Sequence, residues 1–458
     1  LEWINERWQQ SPIRNLYSLP CPRKEIGKQK IYAIKIMKRI LYPIIILLIS
    51  CSQQTKSIHQ VESESRKNQP RVNLSKIKVG LDVLIDEHIN LIKNKAIGLV
   101  TNHSGVDANG IPNYKRLMNE KDVYIKTIFS PEHGLFGEAA AGEKVNYDGQ
   151  VKSLPEVVSL YGSNRKPTDE QMKSLDIIIY DIQDVGARFY TYITTLGLVM
   201  ESASRAGIEV IVLDRPNPIK GNSIEGPLLD LKFQTFVGYY PIPIRYGLTV
   251  GELAYMINGE KWIENQPKLQ VIKMESWKRD FWYNETSFPW IKPSPNIPDL
   301  QTAIIYPGMC LLEGTNVSEG RGTEKPFKRF GAPWINKQDL AIELNNLNLP
   351  GVVFKPVTFI PTPIKGMANN PKYKNQVCHG AEIIVTDRDK YKSVKTGMEI
   401  INLIQKKYPA YFKLRTSGIN RLWGNAKFSE QITSDKKNQF ELALEQFKKT
   451  SRQYWLYE

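Results

Sequence analysis

The stretch Ile177-Ile178-Ile179-Tyr180-Asp181-Ile182-Gln183-Asp184-Val185-Gly186-Ala187-Arg188-Phe189-Tyr190-Thr191-Tyr192 decides the fold. Its first four residues form a short apolar, β-branched run that reads as a buried strand, and the run breaks off at a polar loop carrying Gly186. From Thr191 to Ala206 the apolar residues recur at helical spacing, Gly207 supplies a C-terminal stop, and Glu209 to Leu213 resumes as a second buried strand. A strand, a crossover helix and another strand make the unit from which parallel sheets are built.

The same pattern extends on both sides. Ala96 to Val100 and Tyr124 to Phe129 read as two more buried strands, with helical spacing over Leu81 to Ile92 and Asn113 to Met118. The expected fold is therefore α/β: a Rossmann-like, mostly parallel sheet domain over residues 76–288, followed by a smaller α+β domain over residues 289–458. The boundary is placed at Phe288 to Pro298, where four prolines forbid regular structure. Beyond it, Ala303 to Tyr306, Gly351 to Phe354 and Ala381 to Thr386 read as strands, and Met398 to Lys407 and Phe440 to Lys449 as helices.

The chain has 458 residues, 41% hydrophobic and 24% charged, with 28 Pro and 30 Gly, which excludes collagen-like, coiled-coil and wholly disordered classes. Its 4 cysteines are too few for a disulfide framework at this length. Residues 1–36 read as sequence upstream of a start at Met37. Lys38 and Arg39 with the apolar run Ile40 to Ile49 then form a signal segment over 37–50. Leu48-Ile49-Ser50-Cys51 resembles a bacterial lipobox, so Cys51 is expected to carry a lipid anchor, with residues 51–75 as a polar tether. Ser52, with no acidic run after it, favours an exported, membrane-anchored, periplasm-facing protein. Removing residues 1–50 lowers the net charge of +15 by six, to +9, with the lysines scattered rather than striped, so no nucleic-acid partner is expected.

Each strand ends in a distinctive loop: Thr101 to Gly105, Ser130-Pro131-Glu132-His133-Gly134, Asp181 to Arg188, and Asp214-Arg215-Pro216-Asn217-Pro218. The carboxyl ends of parallel strands line one crevice, so the four loops should converge there. No dinucleotide fingerprint, phosphate loop or nucleophile elbow is present, and no cofactor is expected. His103, His133, Asp181 and Asp184 lack the spacing of a two-ligand helix signature, which leaves a metal-dependent hydrolase as a rival reading and no metal in the expected site.

Glu132, lodged between Pro131 and the His133-Gly134 pair, suits a general acid if apolar enclosure raises its pKa; the alternative is a turn residue. The segment Glu313-Gly314-Thr315-Asn316-Val317-Ser318-Glu319-Gly320-Arg321-Gly322-Thr323-Glu324 concentrates carboxylates, an arginine and glycines in one loop. Glu132 and Glu319, one from each domain, would form the acid and the base or nucleophile of glycoside hydrolysis.

These motifs, together with Phe189-Tyr190-Thr191-Tyr192 and Tyr306-Pro307-Gly308-Met309-Cys310, resemble the exo-β-N-acetylmuramidase (NamZ) family over roughly Ile77 to Glu458. The resemblance implies release of terminal N-acetylmuramic acid from the non-reducing end of β-1,4-linked peptidoglycan fragments such as MurNAc-GlcNAc. It also implies that Glu132 is the family's catalytic glutamate, whereas the choice of Glu319 rests on chemistry alone.

Such a substrate carries a lactyl carboxylate that calls for a guanidinium, and Arg188, Arg215 and Arg321 are the candidates. Its hydroxyls call for Asn102, Asp181, Asn217, Asn316, Tyr190 and Tyr192, with His133, Asp184, Asp214 and Glu313 beside them. A non-catalytic lipoprotein that binds muropeptides would keep the same cleft.

Overall fold

The run Ile177 to Tyr180 is buried on both faces, and its alternation sorts the core. Ile177 and Ile179 point into one apolar layer with Ile97, Leu99, Ile128, Ile211 and Leu213, against Leu81, Leu84 and Leu117. Ile178 and Tyr180 point into the other, with Val100, Phe129, Val210 and Val212, against Ile193, Leu196 and Val199. A sheet covered on both faces follows from strands that have no polar side.

The computed structural model describes residues 77–139, 143, 153–433 and 440–458. The signal segment, Cys51 and the tether lie outside the described residues. Within them the strands are, in chain order, β1 (Ala96–Thr101), β2 (Tyr124–Ser130), β3 (Glu156–Ser159), β4 (Ile177–Asp181), β5 (Glu209–Leu213), β6 (Glu225–Leu228), β7 (Pro243–Arg245), β8 (Leu269–Ile272), β9 (Arg329–Ala332), β10 (Val352–Phe359) and β11 (Cys378–Val385).

The large sheet has the order β3-β2-β1-β4-β5-β8, and every neighbouring pair is parallel. Counted within the sheet, this is the 3-2-1-4-5-6 order of doubly wound folds, with its switch point between β1 and β4. The helix Tyr192–Ala206 crosses from β4 to β5 and ends at Gly207, whose φ of 69° is left-handed as a C-terminal stop requires. The second sheet is antiparallel, β10-β11-β9, and β6 and β7 form a separate ribbon. The α/β class with a smaller second sheet thus stands as expected.

The two sheets share one core. The apolar layer on the Tyr192–Ala206 face runs on through Ile305, Leu311, Phe330, Ala381 and Ile401, and Leu74–Glu458 forms one compact unit. Ala303 to Tyr306, expected as a strand, lies instead in the helix Leu300–Met309. A short run buried all round has no periodicity to tell strand from helix. The deciding signal is Asp299, whose Oδ1 accepts from the Thr302 backbone N–H at 2.8 Å and caps the helix. Ser393 locks the other end, where its hydroxyl accepts from Gly308 N at 2.9 Å and donates to the Ile305 carbonyl at 2.8 Å.

Several residues at the strand ends hold the fold rather than face a cleft. Arg215 gives Nε and Nη2 to the Asp181 carboxylate at 2.5 and 2.9 Å, and Asn113 donates to the same carboxylate at 2.7 Å. Asp214 accepts from the Gly251 backbone N–H at 2.8 Å, Thr249 Oγ1 at 2.7 Å and Tyr457 Oη at 2.6 Å, tying β5 to the helix Val250–Gly259 and to the C-terminal segment.

Burial pushes Asp214 up to about 7, against the Tyr457 hydrogen bond and with help from nearby Glu252. The folded chain therefore keeps a proton that the unfolded chain releases near about pH 4, and this stabilisation is lost as pH rises through about 7. Asp214→Asn removes the titration. Thermal unfolding at pH 5 and pH 8 should show the wild type losing its advantage over the variant at the higher pH; a gap independent of pH would contradict the assignment.

Candidate functional site

The end of β2 delivers Pro131-Glu132-His133-Gly134 to the carboxyl edge of the large sheet. Glu132 is buried, and Thr191 Oγ1 donates to its Oε2 at 2.6 Å. Thr191 stands at the N-terminus of the helix Tyr192–Ala206 but makes no capping bond there, so its hydroxyl is spent on the carboxylate. His133 takes a left-handed backbone, φ 73°, which turns its ring back so that Nδ1 meets the Ala139 carbonyl at 2.7 Å. A carbonyl only accepts, so Nδ1 carries the proton and Nε2 is left as an acceptor. Burial lowers the His133 pKa, Glu132 opposes that shift and Arg321 adds to it, so the ring is neutral near pH 7.

The facing wall comes from the C-terminal half. The helix Leu300–Met309 runs into a 3₁₀ turn, Cys310–Gly314, and together they present Tyr306, Cys310 and Glu313. Tyr306 meets Phe189 and Phe327 edge-on, with ring centroids 5.4 and 4.9 Å apart, and so joins the two walls through an aromatic floor. Burial pushes the Cys310 thiol well up, which keeps it protonated and a poor nucleophile. Arg321 stacks over Phe327 at 5.0 Å and gives Nη2 and Nε to Glu313 Oε1 at 2.7 and 3.1 Å. Burial works against its charge, but Glu313 and Glu319 outweigh that and hold its pKa above the ordinary arginine value.

The enclosed space measures about 130 Å³ and is lined by Glu132, His133, Tyr190, Thr191, Glu313 and Arg321, with Ser294 and Asn296 at one side. Asn296 is buried, donates Nδ2 to the Met367 carbonyl at 2.7 Å, and among the described residues has no hydrogen-bond partner at Oδ1. Buried amide oxygens without partners are rare, and this one lines the space where a ligand hydroxyl or amide would donate.

The expected residues therefore separate into two groups. Glu132, His133, Tyr190, Glu313 and Arg321 come together around the cavity. Glu319 does not line it: the carboxylate lies 2.9 Å from Lys372 Nζ and 3.7 Å from Arg321 Nε, and Lys372 also donates to the Leu312 and Val317 carbonyls. Asn316 pins the chain at Tyr411 and Lys413, and Asn217 bridges Leu248 and Ile219.

Asn102 accepts twice from Ser104, and the Ser104 hydroxyl in turn accepts from Gln183 N, which stitches the β1 and β4 loops together at the switch point. Asp181, Arg215 and Asp214 are consumed as described above. Asp184 accepts from Tyr246 and from Gly186 N, and burial pushes it up to about 6. Arg188 is buried and donates to four carbonyls, those of Pro227, Ile242, Leu422 and Trp423, at 2.6 to 2.9 Å.

A loop-end aspartate or arginine is equally suited to binding a sugar and to holding a turn, which is why the sequence could not divide these two groups. Thr191 and Tyr306 escaped because they fall within stretches read as regular elements, and Phe327 because a lone aromatic in a turn between Pro326 and Lys328 carries no motif. Ser294 and Asn296 escaped because the proline-rich segment that carries them reads as a linker. Among the described residues, no group of three or more His, Cys, Asp or Glu is placed to hold a metal ion.

Comparison with known proteins agrees over nearly all of the described chain. The N-terminal family model of exo-beta-N-acetylmuramidase NamZ matches residues 97–301, and its C-terminal model matches 304–457. Peptidoglycan beta-N-acetylmuramidase NamZ of Bacillus subtilis is 42% identical over 402 residues, which cover 86% of this chain and 94% of that one. Two DUF1343 family proteins from Bacteroides fragilis have crystal structures of the same fold. One matches with TM-score 0.77 and 33% identity over 85% of this chain and 100% of its own; the other with 0.66 and 30% over 84% and 99%.

The loop that carries Glu132 depends on one close approach. Gly137 has φ 72°, and a Cβ there would stand 2.2 Å from His103 Cε1, while His103 Nε2 donates to the Lys292 carbonyl at 2.6 Å. Gly137→Ala combines a strained left-handed backbone with a collision against a ring that is tied in place. It should cost at least ~1 kcal/mol in denaturant unfolding, and should lower activity as well by displacing Glu132; an unchanged midpoint would show that the contact is not tight.

Proposed function

Because the chain belongs to the exo-beta-N-acetylmuramidase NamZ family, we infer that it is a glycosidase that releases N-acetylmuramic acid from the non-reducing end of β-1,4-linked peptidoglycan fragments such as MurNAc-GlcNAc. The observation that carries the mechanism is that two carboxylates, Glu132 from the β2 loop and Glu313 from the opposite wall, line one small cavity. That pairing is what glycoside hydrolysis needs, one group to protonate the leaving oxygen and one to serve the other face of the sugar.

In this reading Glu132 is the general acid. The Thr191 hydroxyl fixes its carboxyl orientation, and His133 stands beside it on the same loop. Glu313 is the second carboxylate, held by Arg321, which also shields it from Glu132. It activates water or attacks the anomeric carbon, or it supports attack by the substrate's own 2-acetamido oxygen. Glu319, paired with Glu132 on sequence grounds, becomes the anchor of Arg321 and Lys372. The Leu48-Ile49-Ser50-Cys51 sequence supports a lipid anchor that holds the enzyme at a periplasm-facing membrane surface, where peptidoglycan fragments arise.

Three glutamine variants separate the roles. Glu132→Gln should lower kcat for sugar release from MurNAc-GlcNAc by at least ~10²-fold with folding intact, and Glu313→Gln should fall by a comparable factor. Glu319→Gln should lower the unfolding temperature and leave kcat of the folded protein within about tenfold of wild type. Near-full activity of Glu132→Gln, or a loss confined to Glu319→Gln, would overturn the assignment.

A further inference from the structure

The catalytic cavity does not end at Glu313. Glu313, Val237 and Leu422 also line a second, more open pocket of about 330 Å³, whose other residues are Arg415, Ser417, Gly418 and Arg421. The two spaces share three wall residues and so adjoin.

Neither new arginine is neutralised by a described residue. Arg415 donates to the backbone carbonyl of Glu313, and Arg421 Nε donates to the Ser417 carbonyl at 3.2 Å, one turn back in the helix Thr416–Trp423. No carboxylate among the described residues pairs with either one, in contrast to the other cleft arginine, Arg321. Both side chains are exposed, so each guanidinium keeps donors for a ligand. Gly418 lies between them in sequence and leaves the helix surface clear; a Cβ there would make only ordinary contact with Arg415 Cβ at 3.7 Å.

We propose that this pocket is an anion subsite in which Arg421, with Arg415, takes a carboxylate on the substituent of the sugar ring held between Glu132 and Glu313. The proposal rests on the glycosidase reading above. The lactyl ether of N-acetylmuramic acid supplies such a carboxylate, and so does a stem peptide attached to that ether; the shared chemistry is an acid group displaced from the ring toward Glu313. Two guanidinium groups with no carboxylate partner among the described residues, at the rim of a cavity that already holds two carboxylates, also offset a repulsion the anionic substrate would otherwise meet.

Arg421 is the residue to test, because Arg415 also holds the Glu313 backbone. With MurNAc-GlcNAc, Arg421→Gln should raise KM ~10-fold or more with the unfolding temperature unchanged, the size expected for losing a charge-assisted hydrogen bond. The difference between variant and wild type should close when the lactyl carboxylate is converted to its methyl ester. A peptidyl MurNAc-GlcNAc forms the second arm: a penalty confined to the free lactyl substrate assigns the lactyl group, and one confined to the peptidyl substrate assigns the peptide carboxylate. Equal KM values for variant and wild type on both substrates would overturn the subsite. Failure of wild type to release sugar from either would instead overturn the glycosidase reading beneath it.

Discussion

The architecture depends on one buried cation. Arg188 has no carboxylate partner among the described residues, and burial pulls its pKa down to about 9, yet its Nη1 and Nη2 groups each donate to two backbone carbonyls. Two of these belong to the Pro227 to Ile242 region, and two, Leu422 and Trp423, to the end of the helix Thr416–Trp423. A guanidinium removed from water and left without acceptors would cost several kcal/mol, so the loop after β4 and that helix can form only together. The consequence reaches the site. Phe189, Tyr190 and Thr191 follow Arg188 directly and line one side of the cavity, while Leu422 and Arg421 stand on the helix it secures.

A second constraint is the alternation of charge along the facing wall. Lys372, Glu319, Arg321 and Glu313 form a chain of contacts that leads to the cavity, with Glu319 between two cations and Arg321 between two carboxylates. The last two members, Arg321 and Glu313, line the cavity, and their orientation is inherited from those behind them. The glycines of the Gly320-Arg321-Gly322 turn serve this arrangement: both have φ near 80°, which a side chain would resist, and the left-handed turn brings Arg321 back toward Glu313.

The sheet was legible because each of its four central strands is a short run of β-branched residues that ends at a sharp polar loop. β3 and β8 were not, since they are four-residue strands with partly exposed residues. The helix Leu300–Met309 was misread because burial on all sides erases the period that distinguishes helix from strand. At the site, the motif segments were legible as segments, but the division of labour within them was not. The Asp181 to Arg188 loop is a case in point. It stands at the carboxyl end of a central strand, as a binding loop should, yet Asp181 answers Arg215, Asp184 answers Tyr246 and Arg188 answers backbone, and only the residues after it line the cavity. Whether a carboxylate meets a ligand or a neighbour depends on distances across the fold that no local spacing encodes.

The arginines show this most clearly, since five identical side chains take three different parts according to where water can reach. Arg188 and Arg215 are buried and committed to the fold; recruiting either for a ligand would strand carbonyls or a carboxylate, at a cost no single contact recovers. Arg321 is shared between two glutamates and one aromatic ring, so it tunes Glu313 more readily than it binds an incoming anion. Arg415 and Arg421 remain in contact with solvent and spend only part of their donor set on the protein, and a ligand carboxylate can displace their water without breaking the fold. The sequence favoured the arginines embedded in motifs, whereas the exposure that binding requires belongs to two that no motif marks.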